Sequence, residues 1–526
     1  MTNDEVGVIS KEALRKLGRD AQRNNLLAAK LVADIVRTTL GPKGMDKMLV
    51  DSAGEITITN DGATILDSIA LEHPVAKLLV RLAKSQEEEV GDGTTTSVLL
   101  AGELLARAEN LLDKRIHPTT IAKGYKLASD KAIELLSENS FTISTLDELK
   151  KIAMTAMTGK IAENYKDKLA NLVVEAANVI SDGKEFSLDD VKIVKFSGGA
   201  IEQSSLVRGV VLDKERPNKS MPARVENARV LALDFPLEVR SPETQARISV
   251  STPDELEAFL KSEERYLGEL VGKIRDSGAK AVFCLRGIDE LAQYLLAKSN
   301  ILALRRVPRS DLERIARACK ARIVSSEADI SPEVLGKCEL VEERQEGEEK
   351  FVVVRTGEES RYATIVLRGG TQHVLDEIER AVIDGLSDVR VVVRHSHFVC
   401  GGGAIEIELA RQLREFAKNF EGREQLSIEE FANALESIPE TLAENAGLDP
   451  LEIVTQLRKA HNQGQTKLGI NILSSKIEDM LEAGVIEPAK VKSQAISSAS
   501  EFASLVLRID DVLMHEKKSE EKFEVE

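Results

Sequence analysis

The sequence predicts a multidomain protein that combines helical regions with a central α/β region. The 526 residues exceed what one hydrophobic core normally holds, so several domains are expected. Apolar residues recur at helical spacing over roughly the first 180 residues, and again from about Thr371 to residue 513. From about residue 191, short β-branched runs alternate with helical segments, which is typical of α/β domains.

The N-terminal region is predicted to be helical, with one β-hairpin. Apolar residues four apart indicate a helix over residues 12–40, and LGPKG ends it, because Gly41 permits a left-handed cap and Pro42 blocks continuation. The stretch MLVDSAGEITITNDGATIL alternates in polarity and predicts a hairpin. Asn60-Asp61-Gly62 is the tight turn that this pattern suggests.

The central region is predicted from seven β-branched runs and the helices between them, such as Ser310 to Lys320. The runs are VKIVKF, VRGVVLD, ARVLALDF, AKAVFCLRG, ALRRV, ARIV and FVVVRT. Two arrangements fit this order: two separate helical domains, or one helical domain with a mixed domain inserted. The pattern leaves both open. The charged tail from His515 to Glu526 lacks an apolar period and is predicted to be disordered.

The composition limits the kinds of molecule that the protein is expected to bind. The net charge of −17, the absence of Trp and an aromatic content of 3% argue against nucleic-acid binding. No apolar run is long enough to span a bilayer, and the N-terminus lacks the apolar segment of a secretory signal. We therefore expect a cytoplasmic protein without a nucleic-acid or membrane partner. The four cysteines form no CxxC pair and are predicted to be small buried residues.

The stretch GDGTTT, from Gly91 to Thr96, precedes a helix and is the strongest candidate for chemistry. Unpaired N–H groups and the positive dipole end of a helix suit a phosphate, and glycines let the backbone approach closely. Asp92 is a hard oxygen ligand of the kind that holds phosphate-bound Mg²⁺. The alternative is an ordinary helix start capped by Asp92. The residues alone do not decide between these two interpretations.

Other glycine-rich turns occur in LGPKG, RGGT and CGGGAIEIE, and each alone is typical of a cap or a turn. Neither GxxxxGK[ST] nor GxGxxG is present. Asp384, in VLDEIERAVIDGL, lies off the apolar stripe of its predicted helix. Two interpretations of Asp384 fit this position. It is either a solvated carboxylate or a base that orients water, with Asp61 as its partner. His395, His397 and Cys400 lack a fourth ligand nearby and are predicted to be structural.

Eight motifs occur in the order in which one family has them. They are TLGPKGMDKMLVD, ITNDGATIL, GDGTTT, MTGK, RGGT, CGGGAIEIE, LAENAGLDP and EAGVIEP. The chain resembles the group II chaperonins, most closely the archaeal thermosome subunits, which are related to the eukaryotic cytosolic chaperonin. The resemblance runs from about Leu17 to Leu513. Each motif is weak by itself, and the ordered set is specific.

The resemblance implies a chaperonin fold with three domains. Residues 1–145 and 402–526 would form a helical equatorial ATPase domain, and residues 146–213 and 367–401 a small intermediate hinge domain. Residues 214–366 would form an inserted α/β apical domain, with residues 247–274 as a helical protrusion that acts as a lid. Under this division Asp384 belongs to the hinge domain, so that hydrolysis would require hinge closure.

The resemblance also implies roles for single positions. Asp384 would be the catalytic carboxylate with Asp61 as its partner, and Asp92 would bind Mg²⁺. Around the phosphates would lie Gly93, Thr94, Thr95, Thr96 and the sensor Lys160. Bordering the rest of the nucleotide would be Leu40, Gly41, Pro42, Gly402, Gly403 and Glu487. ATP and Mg²⁺ are thus the expected cofactors, with K⁺ as a further candidate ion.

The function implied is that of a chaperone subunit that uses ATP hydrolysis to enclose non-native polypeptides in a double ring. Its partners would be clients and the same or paralogous subunits. Candidate client-binding residues on the protrusion and on a nearby helix are Leu256, Phe259, Leu260, Leu312 and Ile315. Departures from the family pattern, such as Ile161 after MTGK and Gly385 after Asp384, leave an alternative open. In that alternative the chain is a regulatory or structural subunit with weak ATPase activity that works only in hetero-oligomeric rings.

Overall fold

The structure is a computed structural model that describes residues 13–51, 54, 56–159, 165–181, 186–239, 253–346, 349–357 and 360–515. The chain divides into two compact units. The first comprises Met1–Glu163 and Ser387–Glu526, and the second comprises Asn164–Leu386. Both helical ends of the chain therefore belong to the first unit, whereas the mixed segment belongs to the second. The finer division into three domains stays a prediction.

Most of the helices in the described residues belong to the first unit. Sixteen α-helices occur in the described residues: α1 (Gly18–Arg37), α2 (Gly62–Ser68), α3 (Pro74–Val90), α4 (Thr94–Asp113), α5 (Pro118–Glu138), α6 (Leu146–Met157), α7 (Lys166–Ser181), α8 (Pro253–Asp276), α9 (Glu290–Lys298), α10 (Arg309–Cys319), α11 (Gln372–His395), α12 (Ala404–Ala417), α13 (Arg423–Leu435), α14 (Ser437–Asn445), α15 (Pro450–Asn462) and α16 (Ala489–Leu507). None of these helices is both long and apolar enough to cross a membrane.

The strands of the first unit are short. They are β1 (Ala13–Leu17), β2 (Lys47–Val50), β3 (Ile56–Thr59), β4 (Phe141–Thr142), β14 (His397–Cys400), β15 (Leu468–Asn471), β16 (Lys476–Asp479), β17 (Ile486–Pro488) and β18 (Asp511–His515). They pair as β1–β18, β2–β3, β15–β16 and the three-stranded β17–β14–β4. The main core of this unit lies among α1, α3, α4, α5, α12, α13 and α16 and includes Leu104, Tyr125 and Phe431.

The second unit is built on one mixed sheet of nine strands. Its strands are β5 (Val191–Ser197), β6 (Ser205–Leu212), β7 (Arg224–Leu233), β8 (Ala281–Cys284), β9 (Leu302–Leu304), β10 (Ile323–Val324), β11 (Gly336–Glu346), β12 (Glu349–Arg355) and β13 (Ala363–Gly369). The spatial order is β5-β13-β6-β12-β11-β7-β8-β9, with β10 paired to β7. Strands β7, β8 and β9 run parallel, as do β5 and β13.

Strand β7 explains why the central runs read as continuous apolar stretches. Val230 and Ala232 face one core cluster with α10, whereas Leu231 and Leu233 face another with α8 and α9. Because both faces of the strand are covered there, each residue from Val230 to Leu233 is apolar, as expected for buried parallel strands. The predicted α/β character of the region is confirmed.

Several predicted elements were wrong in their bounds. The first helix begins at Gly18, and residues 13–17 instead form β1, which pairs with β18 near the other end of the chain. His515, placed in the disordered tail by sequence, pairs with Ala13, whereas residues 516–526 lie outside the described part. The hairpin β2–β3 exists, but Asp61 does not form its turn. Asp61 is the N-cap of α2, because its side chain accepts from the Thr64 amide.

Candidate functional site

The start of α4 in GDGTTT is shaped by two left-handed glycines. Gly91 ends α3 with φ of 78°, and Gly93 precedes α4 with φ of 77° and no side-chain cap. The Asp92 carboxylate accepts from the Gly93 amide at 2.6 Å. The alternative in which Asp92 caps the helix is therefore wrong, since Gly93 holds the cap position. The first amides of α4 therefore have no side-chain cap, and uncapped helix starts suit an anionic ligand.

The backbone of this loop is packed closely against two other segments of the first unit. A Cβ added at Gly91 would lie 2.5 Å from the Cβ of Ser387, and one at Gly93 would lie 2.7 Å from Val491 Cγ1. Gln86, whose side chain is buried, donates to the Asp92 carbonyl at 3.0 Å and to the Val491 carbonyl at 3.3 Å. The loop is thus held in one conformation by contacts that larger residues would break.

Asp61 lies beside the start of α4. The Thr94 hydroxyl donates to Asp61 Oδ1 at 3.4 Å, while Asp61 Oδ2 accepts from the Thr64 amide at 2.7 Å. A Cβ at Gly62 would lie 2.6 Å from the Thr95 hydroxyl, so the starts of α2 and α4 touch. Burial raises the pKa of Glu87, and the charge of Asp61 raises it further. Two carboxylates therefore share this edge of the loop.

The glycine turn that precedes α12 has the same character. Gly402 and Gly403 have φ of 61° and 76°, and α12 begins without a side-chain cap. The Ile470 amide donates to the Gly402 carbonyl at 2.8 Å, which ties the turn to β15. A Cβ at Gly401 would lie 2.6 Å from Glu487 Oε1. The structure therefore places Glu487 against Gly401, the residue that precedes Gly402 and Gly403.

The segment from Leu40 to Pro42 packs in the same unit. Leu40 is buried in a cluster with Ile470, which lies on β15, and Ile472, which follows that strand. Gly41 has φ of 81°, and a Cβ there would lie 2.4 Å from Leu442. Pro42 contacts Gly159, where a Cβ would lie 2.3 Å from the Pro42 Cα. Lys160, the next residue after Gly159, lies outside the described residues.

Lys492 is a buried charge that sequence reasoning missed. Its ammonium lies 2.9 Å from Glu406 and 2.6 Å from Glu487. Burial alone would lower the pKa of Lys492, but the two carboxylates together raise it above its ordinary value. A lysine in the first turn of a helix is usually predicted to be exposed, so the local sequence does not indicate that Lys492 is buried. The only available signal was the charged pair in CGGGAIEIE.

Glu406, Lys492 and Thr96 line a small cavity of about 10 Å³, which is near the lower limit for one water molecule. They lie within the first four residues of α12, α16 and α4 respectively. Three helix starts therefore converge at one polar point in an otherwise apolar core. Each start presents the positive end of a helix dipole at this point.

The remaining predicted residues are not all placed at this site. Asp384 is half-buried in α11, which spans both units, and belongs to the second. Leu256, Phe259 and Leu260 lie on α8, and their side chains lie outside the described part. Leu312 and Ile315 are 1% and 0% exposed. Their prediction as exposed client-binding residues is therefore wrong, since the apolar face of α10 packs against the sheet.

Within the described residues, no group of three or more His, Cys, Asp or Glu is arranged to hold a metal ion. His397 approaches the Ser140 hydroxyl at 3.3 Å. Cys400 packs with Ala404 and Met480, and burial raises the pKa of its thiol to about 11. Asp92 is a single carboxylate, which suits Mg²⁺ that takes its other ligands from phosphate and water.

The comparison with known proteins identifies the family. The model of the TCP-1/cpn60 chaperonin family matches residues 32–517. A thermosome subunit of Methanopyrus kandleri is 51% identical over 515 residues, which cover 97% of this chain and 94% of the relative. The thermosome subunit beta of Archaeoglobus fulgidus is 51% identical over 521 residues, covering 98% and 96%. A thermosome subunit of Pyrococcus horikoshii is 50% identical over 521 residues, covering 98% and 95%.

The chain belongs to the TCP-1/cpn60 chaperonin family. The resemblance to group II chaperonins drawn from eight short motifs is confirmed, and so is the multidomain α and α/β fold class. The full-length similarity to thermosome subunits supports the prediction of an ATP-dependent chaperonin subunit.

Proposed function

We propose that this chain is an ATP-hydrolysing subunit of a group II chaperonin that assists the folding of non-native polypeptides in the cytoplasm. The observation that carries the proposal is the pair of helices α4 and α12, which begin at left-handed glycines without side-chain caps. Helix starts of this kind bind phosphate through backbone amides and the helix dipole. Both lie in the unit that also holds the buried Glu406–Lys492 pair.

At the phosphate end, Gly93, Thr94, Thr95 and Thr96 would bind the phosphates through amides and hydroxyls. Asp92 would hold Mg²⁺, whose charge offsets that of the phosphates, and K⁺ is a further candidate ion. The support is the conformation of the loop, which Gln86 fixes by holding the Asp92 carbonyl. Lys160 is proposed as the phosphate sensor from the resemblance alone.

At the nucleoside end, the residues proposed to border the nucleotide are Leu40, Gly41, Pro42, Gly402, Gly403 and Glu487. They are linked by β15, whose Ile470 packs with Leu40 and pairs with Gly402. Lys492 would hold the Glu487 carboxylate in place through its 2.6 Å contact.

For the hydrolysis step, Asp384 is proposed to accept a proton from the attacking water, with Asp61 orienting that water. Asp61 is held by Thr94 and the Thr64 amide, so its orientation is set before the nucleotide arrives. The proposed hinge domain contains Asp384 and the equatorial domain contains Asp61. Turnover would then depend on closure of the hinge.

Clients are proposed to bind the apical domain, about residues 214–366, with residues 247–274 as the lid. On α8, Leu267 and Leu270 are 2% and 1% exposed and pack in the core beneath the helix. Any client surface on this helix would therefore lie nearer its N-terminus, with Leu256, Phe259 and Leu260.

Assembly into rings with the same or paralogous subunits is proposed from an exposed apolar surface, here called the hairpin face. It comprises Met48, Val50, Ile56 and Ile58, which are 51–65% exposed. Met48 is paired with Ile58 and Val50 with Ile56, so the four side chains share one face. A two-stranded hairpin with an exposed apolar face is only marginally stable alone, which favours a partner chain there.

Replacing Asp384 by Ala is the test of the hydrolytic role. We expect ATP turnover to fall at least about 100-fold, while ATP binding measured by a fluorescent nucleotide stays within about threefold. Asp376→Ala, on the same helix, is the matched control and should keep turnover near that of the wild type. Near-normal turnover in the Asp384 variant would remove that residue from the mechanism.

The assembly is tested by light scattering of the purified chain after size exclusion. Ile58→Asp, which places a charge on the hairpin face, should shift the ring-sized peak toward monomer. Leu451→Asp is the control, because Leu451 is 78% exposed and is not one of the residues of the hairpin face. A wild-type chain that elutes as an inactive monomer would mean that it works only with sister subunits.

A further inference from the structure

Two of the four cysteines lie together in the core of the second unit. Cys319 is the last residue of α10, and Cys338 lies on β11. Their exposed fractions are 3% and 6%, and both belong to one apolar cluster with Ala228 and Ala316. They are separated by a segment that contains β10 and two short 3-10 turns.

The backbone geometry brings the two thiols into contact. A Cβ at Gly336 would lie 2.6 Å from the Cys319 carbonyl oxygen, so β11 presses directly against the end of α10. Cys338 comes two residues after Gly336 and therefore points to the same face of the strand. The Cys338 thiol donates to the Ala228 carbonyl at 3.7 Å, and the two cysteine side chains are close enough to shift each other's pKa.

The other two cysteines provide an internal contrast. Cys284 faces the opposite side of the sheet, where its thiol approaches the Phe235 carbonyl at 3.3 Å. Cys400 belongs to the first unit and packs with Ala404 and Met480. Neither shares its apolar cluster with a second cysteine.

We propose that Cys319 and Cys338 form a dithiol that closes to an intramolecular disulfide and so fastens the end of α10 to β11. The oxidant would be a small-molecule disulfide. The thiolate of one cysteine attacks it, its S–S bond breaks, and one thiol is released. The second cysteine then loses its proton and displaces the other half as a second thiol. The protein loses two protons and two electrons, which the oxidant takes up.

The environment distinguishes the two sulfurs. The neighbouring Cys319 thiol lowers the pKa of Cys338, although burial opposes this effect. Cys338 and burial together raise the pKa of Cys319. Whichever cysteine attacks the oxidant first, the other closes the disulfide.

Access for the oxidant is through the end of α10. Its C-cap Lys320 is exposed, as are Lys337 and Glu339 on either side of Cys338. The thiols thus lie one residue beneath the surface, at a helix terminus, where local opening costs least. A closed disulfide would restrict the unfolded chain, and for a loop of this length we expect the unfolding midpoint to rise by roughly 5–10 °C.

The experiment uses the full chain treated with oxidised glutathione, followed by thiol counting in denaturant and peptide mapping. Wild type should fall from four thiols to two, with one Cys319–Cys338 cross-linked peptide. Cys338→Ala should keep its three thiols, because Cys319 has lost its partner. Cys284→Ala, the matched control, should still form the disulfide. Reductant should reverse both the cross-link and the rise in the unfolding midpoint.

Two results would overturn the proposal. The first is four remaining thiols in oxidised wild type while a small unfolded peptide dithiol in the same mixture is oxidised. The second is a cross-link that involves Cys284 or Cys400, which would indicate oxidation of unfolded chains. The Cys284 variant guards against misfolding as an explanation, since it removes a buried thiol outside the pair.

Discussion

The two units differ in how deeply their charged side chains are buried. In the first unit, three glutamates are almost wholly buried: Glu406, Glu408 and Glu436 are 1–2% exposed, and each faces a cation. Among the described residues of the second unit, the most buried carboxylates are Asp311 and Glu342, at 8% and 9%. The core of that unit is otherwise a sheet with apolar clusters on both faces.

The difference indicates where the chain carries its chemistry. Burying a charge costs free energy that pairing only partly restores, so apolar packing would be the more stable choice for a scaffold alone. In the first unit, the Glu406–Lys492 pair lies at converging helix starts beside a glycine turn. We infer that this pair positions groups for a ligand, whereas the second unit is stabilised by apolar burial.

The largest effect is expected for Lys492→Met, which leaves Glu406 buried without its cation. The loss of stability should be about 3–5 kcal/mol. Lys192→Met in the second unit should cost less, because Lys192 and Asp311, 2.7 Å apart, keep 15% and 11% exposure. Both are measured by denaturant unfolding. If the two variants cost the same, the contrast between the units fails. Adding Glu406→Gln to Lys492→Met should recover part of the loss, since it removes the stranded charge.

A smaller effect is expected on acidification. Burial opposes ionisation of Glu408, but hydrogen bonds from His461, Arg411 and Gln412 lower its pKa from 4.5 to about 2. A lowered folded-state pKa stabilises the fold above pH 4.5, and this stabilisation is lost as pH falls from 4.5 to 2. It amounts to about 3 kcal/mol at neutral pH.

The measurement compares the unfolding free energy of wild type and Glu408→Gln between pH 2 and 7. The difference should be constant at neutral pH and shrink below pH 4.5. Glu343→Gln is the counterpart in the second unit, where Arg216 lowers the pKa of a less buried carboxylate against the effect of burial. A difference for Glu408 that does not change with pH would exclude this titration as its cause.

The smallest effect on stability is expected for Gly93→Ala. A positive φ costs a residue with a Cβ about 1–2 kcal/mol, and the contact with Val491 adds to this. The matched control is Gly447→Ala, which has φ of 74° and nothing within 4 Å of the added Cβ. ATP affinity should fall at least about tenfold in the Gly93 variant and stay unchanged in the control. Equal affinities would show that the loop is not part of the site.

Much of the fold could be predicted because its signals are local. The apolar runs of β7 and β8 and the helical spacing of α10 arise within one element. Strand β11 was missed, because its sequence GKCELVEERQE mixes apolar with charged residues and contains no β-branched run. The turn at Asp61 was misread because aspartate before glycine serves a hairpin turn and a helix cap equally well.

By itself, the sequence determined the family, the glycine turns and the identities of the predicted phosphate-loop residues, since motifs and turn chemistry depend on near neighbours. Only the tertiary structure decided which side chains are buried. It paired β1 with β18 across almost the whole chain, placed Lys492 between two glutamates, and buried Leu312 and Ile315 under the sheet. The local sequence of a helix does not show whether an apolar or charged side chain faces solvent or the core. Burial depends on residues that are far away in the sequence, and a local pattern does not show which of them will pack there.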